Sequence, residues 1–338
     1  QERTVVAQTL QNKLVPVRSK EADVKTVLLG DTGLQVSAIA FGGMSLTPKV
    51  AEPGARAVAC AFELGVNFFD TADVYGHGEA EKLLGAALRD AGIPRDKIIV
   101  ASKCGIVQPG MDPAYEHKAY DLSAGYLKRS CEASLQRLGM DHLDLYQPHR
   151  IDYLTHPSEI AGALQELKDE GKIRHAGVSN YSTDEIRALS AYERLETLQT
   201  QFSLLHIEPL ESGLTSVCLE QQMSVLCWSP LHRGALAGFL PFARDDWRQQ
   251  REAGVATQVA AFAAHYGVTP AQLSLAWLMQ LPGGVIPLVG TANADHIAEA
   301  VAACDVQLQR DDWYELLVIA RGRPMPWGQP PYTYIGTR

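Results

Sequence analysis

Short apolar runs rich in β-branched residues alternate along most of the chain with longer stretches of helical pattern. The first two runs, Lys25–Leu29 and Leu34–Ser37, flank the turn sequence Gly30–Gly33 and predict a β-hairpin. Eight units of a strand followed by a helix come next. The predicted strands are Ala38–Phe41, Val66–Phe69, Lys97–Ala101, Leu143–Tyr146, Ile173–Val178, Leu195–Thr200, Ser224–Trp228 and Val285–Val289. The predicted helices are Pro53–Leu64, Glu79–Arg89, Ser123–Leu138, Pro157–Glu170, Thr183–Leu189, Leu210–Gln222, the pair Thr257–Tyr266 and Pro270–Gln280, and Ala294–Ala303. Ser123 is the predicted N-cap of its helix, and Gly65 and Gly171 are predicted to end the helices before them.

This alternation predicts the fold class. Strands joined through helices run parallel, and eight units in about 270 residues fit a (β/α)8 TIM barrel better than an open α/β sheet. We expect one barrel domain over residues 26–320, with an N-terminal β-hairpin and long βα loops at the C-terminal face. Residues 1–25 would form an N-terminal arm, and residues 321–338 a proline-rich C-terminal tail over a barrel mouth.

The composition and net charge of the chain argue against several classes of binding partner. The chain has 338 residues, of which 46% are hydrophobic, and a formal net charge of −9. That charge argues against nucleic acid or an anionic membrane as the main partner. No apolar run approaches the length of about 18 residues that a membrane span needs. The six cysteines form no C-x-x-C pair, and residues 1–25 hold no apolar signal-peptide region, so we expect free thiols and a soluble cytoplasmic protein.

Titratable side chains follow three successive predicted strands. Asp70 and Tyr75 come after the second strand, Lys103 after the third and His149 after the fourth. Because barrel enzymes carry their active sites at the C-terminal ends of the strands, we expect the four side chains to meet at one rim. By contrast, no Gly-x-Gly-x-x-Gly motif follows a predicted strand, so a Rossmann dinucleotide fold is not supported. No sequence motif indicates a metal site or a nucleophile elbow.

These four residue types suit proton delivery to a developing alkoxide. Tyrosine has a pKa near 10, and we expect the Lys103 ammonium to lower the pKa of Tyr75 so that it serves as general acid or base. Asp70 would hold Lys103 charged, and His149 would donate a hydrogen bond to a substrate carbonyl or relay a proton. Since no side chain supplies a hydride, the chemistry needs a cofactor.

Four segments carry a resemblance to a known family. They are Asp70-Thr-Ala-Asp-Val-Tyr75-Gly, Ala-Ser-Lys103, Tyr-Gln-Pro-His149-Arg and Gly-Val-Ser179-Asn180. Their order and separation resemble the aldo-keto reductase superfamily, from about Thr26 to Ala303. Two further segments, Gln201-Phe-Ser-Leu-Leu-His and Ser229-Pro-Leu, are more similar to bacterial monomeric reductases than to the aldose reductase branch. The resemblance implies an NAD(P)(H)-dependent oxidoreductase that reduces an aldehyde or ketone, sugar-derived ones included, or runs in reverse. It also implies that Asp70, Tyr75, Lys103 and His149 form the catalytic tetrad.

The resemblance also implies where the cofactor binds. Ser179, Asn180 and Gln201 would contact the nicotinamide, and Trp228 stands where the family usually stacks a tyrosine beneath that ring. The other implied contacts are Gly43 and Met44 after the first strand, Ser229, Leu231 and Gly234 along the pyrophosphate, and Gly290, Thr291, Asn293, His296 and Glu299 at the adenosine end.

The adenosine end departs from the family pattern. The family usually places a basic residue after strand eight and an arginine in the next helix, and these clamp the 2′-phosphate of NADP(H). Here Gly290 and His296 occupy those positions, and Asp295 is adjacent. Thr291 and Asn293 still offer hydrogen bonds. We therefore favour NADP(H) slightly and keep NAD(H) or dual use as alternatives.

The residues that would contact the substrate are less clearly indicated by the sequence. Two other functions also stay open. Arg150, beside His149, would meet an acidic or polyhydroxylated substrate or form a structural salt bridge. Two long loops, Gln108–Asp121 and His232–Gly254, and the tail carry side chains that would line the pocket or simply pack: Met111, Tyr115, His117, Tyr120, Phe239, Phe242, Trp247, Trp327 and Tyr332. One alternative is a non-catalytic cofactor-binding subunit on the same fold. The other is a Schiff-base barrel enzyme that uses Lys103. The sequence leaves the oligomeric state open.

Overall fold

The computed structural model describes residues 24–239 and 247–325, and the elements below lie in those two ranges. The strands are β1 Thr26–Leu28, β2 Gln35–Ser37, β3 Ala40–Gly42, β4 Phe68–Asp70, β5 Ile99–Cys104, β6 Ile106–Val107, β7 Ala119–Tyr120, β8 Leu143–Pro148, β9 Ile173–Ala176, β10 Val178–Ser179, β11 Thr197–Gln201, β12 Ser224–Trp228 and β13 Val285–Val289. The α-helices are α1 Ala51–Glu63, α2 Glu79–Asp90, α3 Ala124–Leu138, α4 Pro157–Asp169, α5 Thr183–Ser190, α6 Glu208–Glu211, α7 Leu214–Glu220, α8 Trp247–Tyr266, α9 Pro270–Met279, α10 Ala294–Ala302 and α11 Arg310–Arg321. Short 3-10 helices lie at Gly43–Ser45, Pro48–Val50, Arg95–Lys97, His232–Ala237 and Ala303–Asp305.

Nine strand segments form one parallel sheet, in the order β10-β11-β12-β13-β3-β4-β5-β8-β9. The two edge segments, β9 and β10, are halves of one extended stretch interrupted at Gly177. The sheet therefore closes into a barrel of eight strands. A Cβ at Gly177 would lie 2.0 Å from Thr197 Oγ1, so this close approach of neighbouring strands requires glycine. The predicted (β/α)8 barrel is confirmed.

The β-hairpin lies at the N-terminal end of the barrel. β1 and β2 pair antiparallel, with Val27 opposite Val36. The turn between them is held against the start of the barrel strands, because Gly30 donates its backbone N–H to Ser224 Oγ at 2.8 Å and Asp31 donates to Glu196 Oε2 at 3.0 Å. Leu29 is fully buried. The hairpin covers the end opposite the C-terminal strand ends, which leaves that second mouth for a site.

Strand alternation explains why apolar and polar side chains share the barrel interior. Side chains two residues apart on a strand point to the same face. The interior cluster contains Phe68, Ala101 and Leu145 from β4, β5 and β8. Two residues further along the first two of these strands come Asp70 and Lys103. The barrel is thus apolar near its N-terminal end and polar near its C-terminal end, and a larger apolar cluster lies between the strands and the helices.

Several local predictions are confirmed. The hairpin and the eight strand-helix units are present. Ser123 caps α3 by accepting a hydrogen bond from the backbone N–H of Tyr126. Gly65 and Gly171 follow their helices with φ of +89° and +72°. None of the six cysteines, all within the described residues, forms a disulfide, and four of them are buried.

Other boundaries were predicted wrongly. Lys103 lies inside β5, which extends to Cys104, rather than after a strand that ends at Ala101. The predicted helix Leu210–Gln222 is two helices, because Gly213 adopts φ +83° between them. α8 begins at Trp247, so the predicted long loop from His232 to Gly254 is partly helical.

The C-terminal helix was missed. The sequence interpretation placed the last helix at Ala294–Ala303, yet α11 spans Arg310–Arg321 and buries Leu316, Leu317 and Ala320. Arg321 therefore ends a helix and does not begin a tail. Residues 1–23 of the predicted N-terminal arm and residues 326–338 of the predicted C-terminal tail, including Trp327 and Tyr332, lie outside the described residues.

Candidate active site

A cavity of about 820 Å³ opens at the C-terminal mouth of the barrel. Its lining comes from the ends of most barrel strands and from the helices after β12 and β13. Asp70, Tyr75 and His149 lie at one part of this lining, and Thr291, His296 and Glu299 also line it. A volume of this size lies in the upper part of the range for small-molecule and cofactor pockets.

Asp70 and Lys103 form a fully buried ion pair at the cavity floor. Lys103 Nζ donates to Asp70 Oδ1 at 2.9 Å, to Asp70 Oδ2 at 2.7 Å and to the Thr71 carbonyl at 2.5 Å. Gln199 Nε2 donates to Asp70 Oδ1 at 2.8 Å. Burial alone would lower the pKa of Lys103, but the charge of Asp70 and the contact with Tyr75 outweigh burial and leave that pKa raised. The lysine is therefore held as an ammonium.

Tyr75 lies beside that ammonium, and its pKa is raised. Lys103 Nζ is 5.2 Å from the centroid of the Tyr75 ring. Burial raises the pKa of Tyr75, and the charges of Asp70 and Asp73 add to the effect, whereas Lys103 opposes it. The expectation of a lowered pKa was therefore wrong in its net direction, because it left out desolvation. The phenol is protonated at neutral pH and can act as a proton donor.

His149 is neutral and faces Tyr75. The two rings meet edge to face, with centroids 5.8 Å apart. Burial, then the charges of Lys103 and Arg150, hold the pKa of His149 well below its usual range. The His149 side chain is only 8% exposed, and its Nδ1 has no hydrogen-bond partner among the described residues. A neutral imidazole carries one N–H, which suits donation of a hydrogen bond to a carbonyl oxygen.

A second buried carboxyl lies behind Tyr75. Asp73 is 2% exposed, and its Oδ2 accepts a hydrogen bond from Ser130 Oγ at 2.8 Å. Burial raises the pKa of Asp73 to about 7. Because the charge of Asp73 in turn raises the pKa of Tyr75, ionisation of this carboxyl near neutral pH favours the protonated phenol still further.

Another part of the cavity wall carries an indole and an amide. Trp228 ends β12 and lines the cavity. Its Nε1 donates to Asn180 Oδ1 at 3.0 Å. Asn180 Nδ2 donates to the His149 carbonyl at 3.2 Å and to Ser179 Oγ at 2.8 Å. This wall joins a flat aromatic surface to the backbone that carries His149.

The far end of the cavity lies at the start of α10. Asn293 caps this helix by accepting the backbone N–H of Asp295 at 2.9 Å. Thr291 Oγ1 is 3.4 Å from His296 Nδ1. The rings of Phe239 and His296 approach each other, with centroids 6.3 Å apart and an interplanar angle of 53°. Exposed Arg233 lines the same cavity. Hydroxyl, amide and aromatic groups thus lie at a helix N-terminus, and a cation lines the same cavity.

Comparison with known proteins adds a family to this geometry. The model of the aldo/keto reductase family matches residues 38–319. A protein named 6-dehydroglucose reductase from Novosphingobium aromaticivorans is 38% identical over 88% of this chain and 96% of its own length. A protein of the same name from Agrobacterium fabrum is 33% identical over 86% of this chain and 96% of its own. A Schizosaccharomyces pombe protein is 31% identical over 81% of this chain and 85% of its own, and its name reads aldo-keto reductase yakc, NADP(+).

The chain belongs to the aldo/keto reductase family. It is therefore an oxidoreductase of the carbonyl-reducing kind, as the resemblance implied. In this aldo/keto reductase, Asp70, Tyr75 and His149 line one cavity, and Lys103 lies beneath it in contact with Asp70. The geometry brings the four predicted tetrad residues together.

Most residues expected to contact the cofactor also line the cavity. They are Met44, Asn180, Trp228, Ser229, Leu231, Gly234, Gly290, Thr291, His296 and Glu299. Four others do not line it: Gly43, Ser179, Gln201 and Asn293. Ser179 is fully buried behind Asn180, and Asn293 serves as a helix cap.

Gln199, rather than Gln201, faces the cavity of this aldo/keto reductase. Gln199 is buried, lines the cavity and contacts Asp70. Both glutamines lie on β11 two residues apart, so strand alternation alone does not separate them. Sequence reasoning also missed Arg233 and Gly42, which line the cavity as well. A signal for Gly42 existed, because it directly follows the predicted first strand.

The loop Gln108–Asp121, for which pocket lining and simple packing were both open, does not line the cavity. Residues 108–121 follow β6 and return through β7, which pairs with it antiparallel. None of Met111, Tyr115, His117 and Tyr120 is among the lining residues, whereas Arg150 and Phe239 are. Phe242 and the side chain of Trp247 lie outside the described part of the chain.

Two negative findings concern only the described residues, 24–239 and 247–325. They contain no cluster of three or more histidine, cysteine, aspartate or glutamate side chains placed to hold a metal ion. They also contain no helix whose length and apolar character would let it cross a membrane.

Proposed function

We propose that this aldo/keto reductase reduces a sugar-derived aldehyde to the alcohol, with Tyr75 as proton donor and NADP(H) as the preferred cofactor. The observation that carries the proposal is the arrangement of Tyr75 between the Lys103 ammonium and neutral His149 at the cavity floor. Each group is in the protonation state that carbonyl reduction needs at neutral pH.

The proposed step uses the chain's own residues as follows. His149 donates a hydrogen bond to the carbonyl oxygen and orients the substrate. The hydride for the carbonyl carbon would come from a nicotinamide ring held against Trp228 and Asn180, because no side chain can supply it. Tyr75 transfers its phenolic proton to the oxygen as negative charge develops there. The Lys103 ammonium stabilises the resulting tyrosinate, and solvent returns the proton to Tyr75.

The cavity fits a dinucleotide. Its lining includes Asp70 and Tyr75, the Trp228 side chain and, from α10, Glu299. Trp228 offers a flat surface for the nicotinamide ring. Gly42 and Gly290 lie side by side at the edge of the cavity, where a Cβ on Gly290 would reach only the Gly42 carbonyl, at 3.5 Å. The absence of side chains at these two positions leaves room for a bulky group against the backbone.

Two observations support NADP(H) over NAD(H). Arg233 brings a cation to the cavity from the loop after β12, although the usual cations after β13 are missing. The S. pombe relative carries NADP(+) in its name. We propose that Arg233 contacts the phosphate charges of the cofactor, with Thr291 and the α10 N-terminus as further contacts.

The substrate class rests on two relatives and one side chain. The bacterial relatives are named as 6-dehydroglucose reductases. Arg150 is exposed, lines the cavity and lies next to His149. A guanidinium presents several N–H donors, which suits the hydroxyl oxygens of a sugar. Arg150 is thus proposed to hold the polyhydroxylated part of the substrate. A cytoplasmic location stays a prediction from the sequence.

A Schiff-base reaction at Lys103 is disfavoured by the ion pair with Asp70. A lysine that forms a Schiff base reacts as the neutral amine. Here Asp70 and Tyr75 raise the pKa of Lys103 and keep it charged. Lys103 is also fully buried and does not line the cavity.

The test is a cofactor-absorbance screen of aldehydes, ketones and sugars, including 6-dehydroglucose, with NADPH and with NADH. Tyr75→Phe is the matched variant, because it removes only the phenolic hydroxyl. We expect kcat to fall at least about a hundredfold, from the usual scale of acid–base catalysis. The Kd for NADPH should stay within about twofold, since a twofold change is well under 1 kcal/mol. Full turnover by Tyr75→Phe would remove Tyr75 as donor, and cofactor binding without turnover of any carbonyl would favour a binding subunit.

A further inference from the structure

The Trp228 indole presents two different surfaces to its surroundings. One is the part of the side chain that lines the cavity, where the proposed function stacks the nicotinamide on the ring face. The other is the N–H edge, which donates to Asn180 Oδ1 at 3.0 Å. Stacking accounts for the face alone. A phenylalanine would also supply a face, so the N–H edge calls for a separate explanation.

The indole N–H determines how the Asn180 amide is oriented. An indole nitrogen only donates hydrogen bonds, and a backbone carbonyl only accepts them. Because Trp228 and the His149 carbonyl lie at opposite ends of the Asn180 amide, Oδ1 must face the indole and Nδ2 must face the carbonyl. Ser179 Oγ accepts a further bond from Nδ2 at 2.8 Å. Each end of the amide therefore has its partners, and a flipped amide would lose both long-range bonds.

The Asn180 backbone adopts a conformation that needs support. Its φ is +59°, which asparagine tolerates better than most residues but still at a cost. Its backbone N–H donates to the Gln199 carbonyl at 2.8 Å. Together with the side-chain bonds, this ties Asn180 to β11, to the end of β12 and to the residue after β8. Asn180 thus connects β11, the end of β12 and the residue after β8 at the cavity wall.

We infer that Trp228 is a positioning residue for His149, acting through the Asn180 amide on the His149 backbone. The His149 ring meets Tyr75 edge to face, and its Nδ1 has no hydrogen-bond partner among the described residues. Its backbone N–H donates to the Cys104 carbonyl at 2.7 Å, and its carbonyl accepts from Asn180. The catalytic part of this inference rests on the proposed function, in which His149 binds the substrate carbonyl.

The first experiment does not depend on activity. The protein has five tryptophans, so 15N labelling gives five indole N–H signals, and Trp228→Phe assigns the one from Trp228. We expect that signal to exchange slowly with solvent. Asn180→Gly tolerates the positive φ and removes the amide, so it should shift the Trp228 signal and speed its exchange. An unchanged signal in Asn180→Gly would overturn the inference.

The second experiment is a double-mutant cycle on the whole enzyme, with circular dichroism to confirm folding. Trp228→Phe should lower kcat/KM for the carbonyl substrate about fivefold, since a net hydrogen bond contributes about 1 kcal/mol. In the Asn180→Gly background the same change should have no further effect on kcat/KM, because the connection is already broken. The effect of Trp228→Phe on NADPH Kd should be equal in both backgrounds, since it reports stacking.

Asn180→Asp separates the two bonds. Its carboxylate still accepts the indole N–H but gives no donor to the His149 carbonyl. We expect slow exchange of the Trp228 signal to be retained together with the fivefold loss of kcat/KM. If Trp228→Phe lowers kcat/KM equally in the wild type and in Asn180→Gly, the inference is overturned. Failure of the proposed function would be seen separately, as full turnover by Tyr75→Phe.

Discussion

Both carboxylate oxygens of Asp70 accept hydrogen bonds from Lys103 Nζ, at 2.9 and 2.7 Å, in a pair with no more than 3% side-chain exposure. Removing one partner of such a pair leaves a buried charge without compensation, which costs about 3–5 kcal/mol. Lys103→Met should therefore lower the free energy of unfolding by that amount and also abolish the stabilisation of tyrosinate. Urea unfolding and kcat measure the two effects.

The double variant Asp70→Asn with Lys103→Met is the control for this prediction. It removes both charges, so it should recover much of the lost stability while kcat stays low. Equal stability of the single and double variants would show that the pair is not held as an ion pair.

The Asp70 and Lys103 positions could be predicted because strand order and alternation suffice to place them. Each follows, two residues on, an apolar residue that fills the barrel interior, and parallel strands end at one rim. Alternation tells which face of a strand a side chain occupies, but it does not tell how far along the barrel axis that side chain reaches. Gln199 and Gln201 are equivalent by alternation, and only the structure shows that Gln199 reaches Asp70.

The extent of burial around Tyr75 could not be predicted from the sequence either. The pKa of Tyr75 is raised because desolvation exceeds the effect of Lys103, and desolvation depends on the closed barrel around the phenol.

Helix α11 was missed for a different reason. Its apolar positions Trp313, Leu316, Leu317 and Ala320 do have helical spacing, so a signal was present and was overlooked.

The pH dependence of turnover should reflect Tyr75 and His149. The raised pKa of Tyr75 keeps the phenol protonated, and the lowered pKa of His149 keeps the imidazole neutral. The reductive kcat should therefore stay nearly constant from about pH 6 to pH 9, while alcohol oxidation, which needs tyrosinate, should become faster throughout that range. A reductive kcat that falls tenfold between pH 6 and pH 8 would contradict these protonation states.

Asp73 should make stability depend on pH. Its folded-state pKa of about 7 lies above the value of 3.8 that an exposed aspartate has. Between these two values the folded protein holds a proton that the unfolded chain releases, so stability falls as the pH rises through the window. Asp73→Asn removes this pH-dependent contribution to the free energy of unfolding. The variant should be more stable than the wild type at pH 8, by up to about 4 kcal/mol, and nearly as stable as the wild type at pH 4.

Unfolding by urea at pH 4, 6 and 8 measures the Asp73 effect. Asp141→Asn, at an exposed position, is the matched control and should follow the wild type at each pH. An Asp73→Asn curve parallel to that of the wild type would show that the Asp73 carboxyl does not take up a proton on folding.

Arg233 should contribute to the choice of cofactor. Arg233→Gln removes the cation at the cavity wall and should weaken NADPH binding about tenfold, with a smaller effect on NADH, if the guanidinium meets the 2′-phosphate. Fluorescence titration gives both Kd values. Arg89→Gln, on the surface of α2, is the control. If Arg233→Gln raises the Kd values of NADPH and NADH equally, Arg233 contacts the pyrophosphate instead.

Arg150 should distinguish sugars from simple aldehydes. It lines the cavity next to His149, and its charge helps to lower the pKa of that histidine. Arg150→Gln keeps a polar side chain but loses the guanidinium, so KM for a polyhydroxylated aldehyde should rise about tenfold, the equivalent of one hydrogen bond to a charged group. KM for benzaldehyde, which has no hydroxyl groups, should change little. If both KM values rise together, Arg150 acts through His149 and does not contact the sugar, and the assignment of a sugar substrate loses its support from this chain.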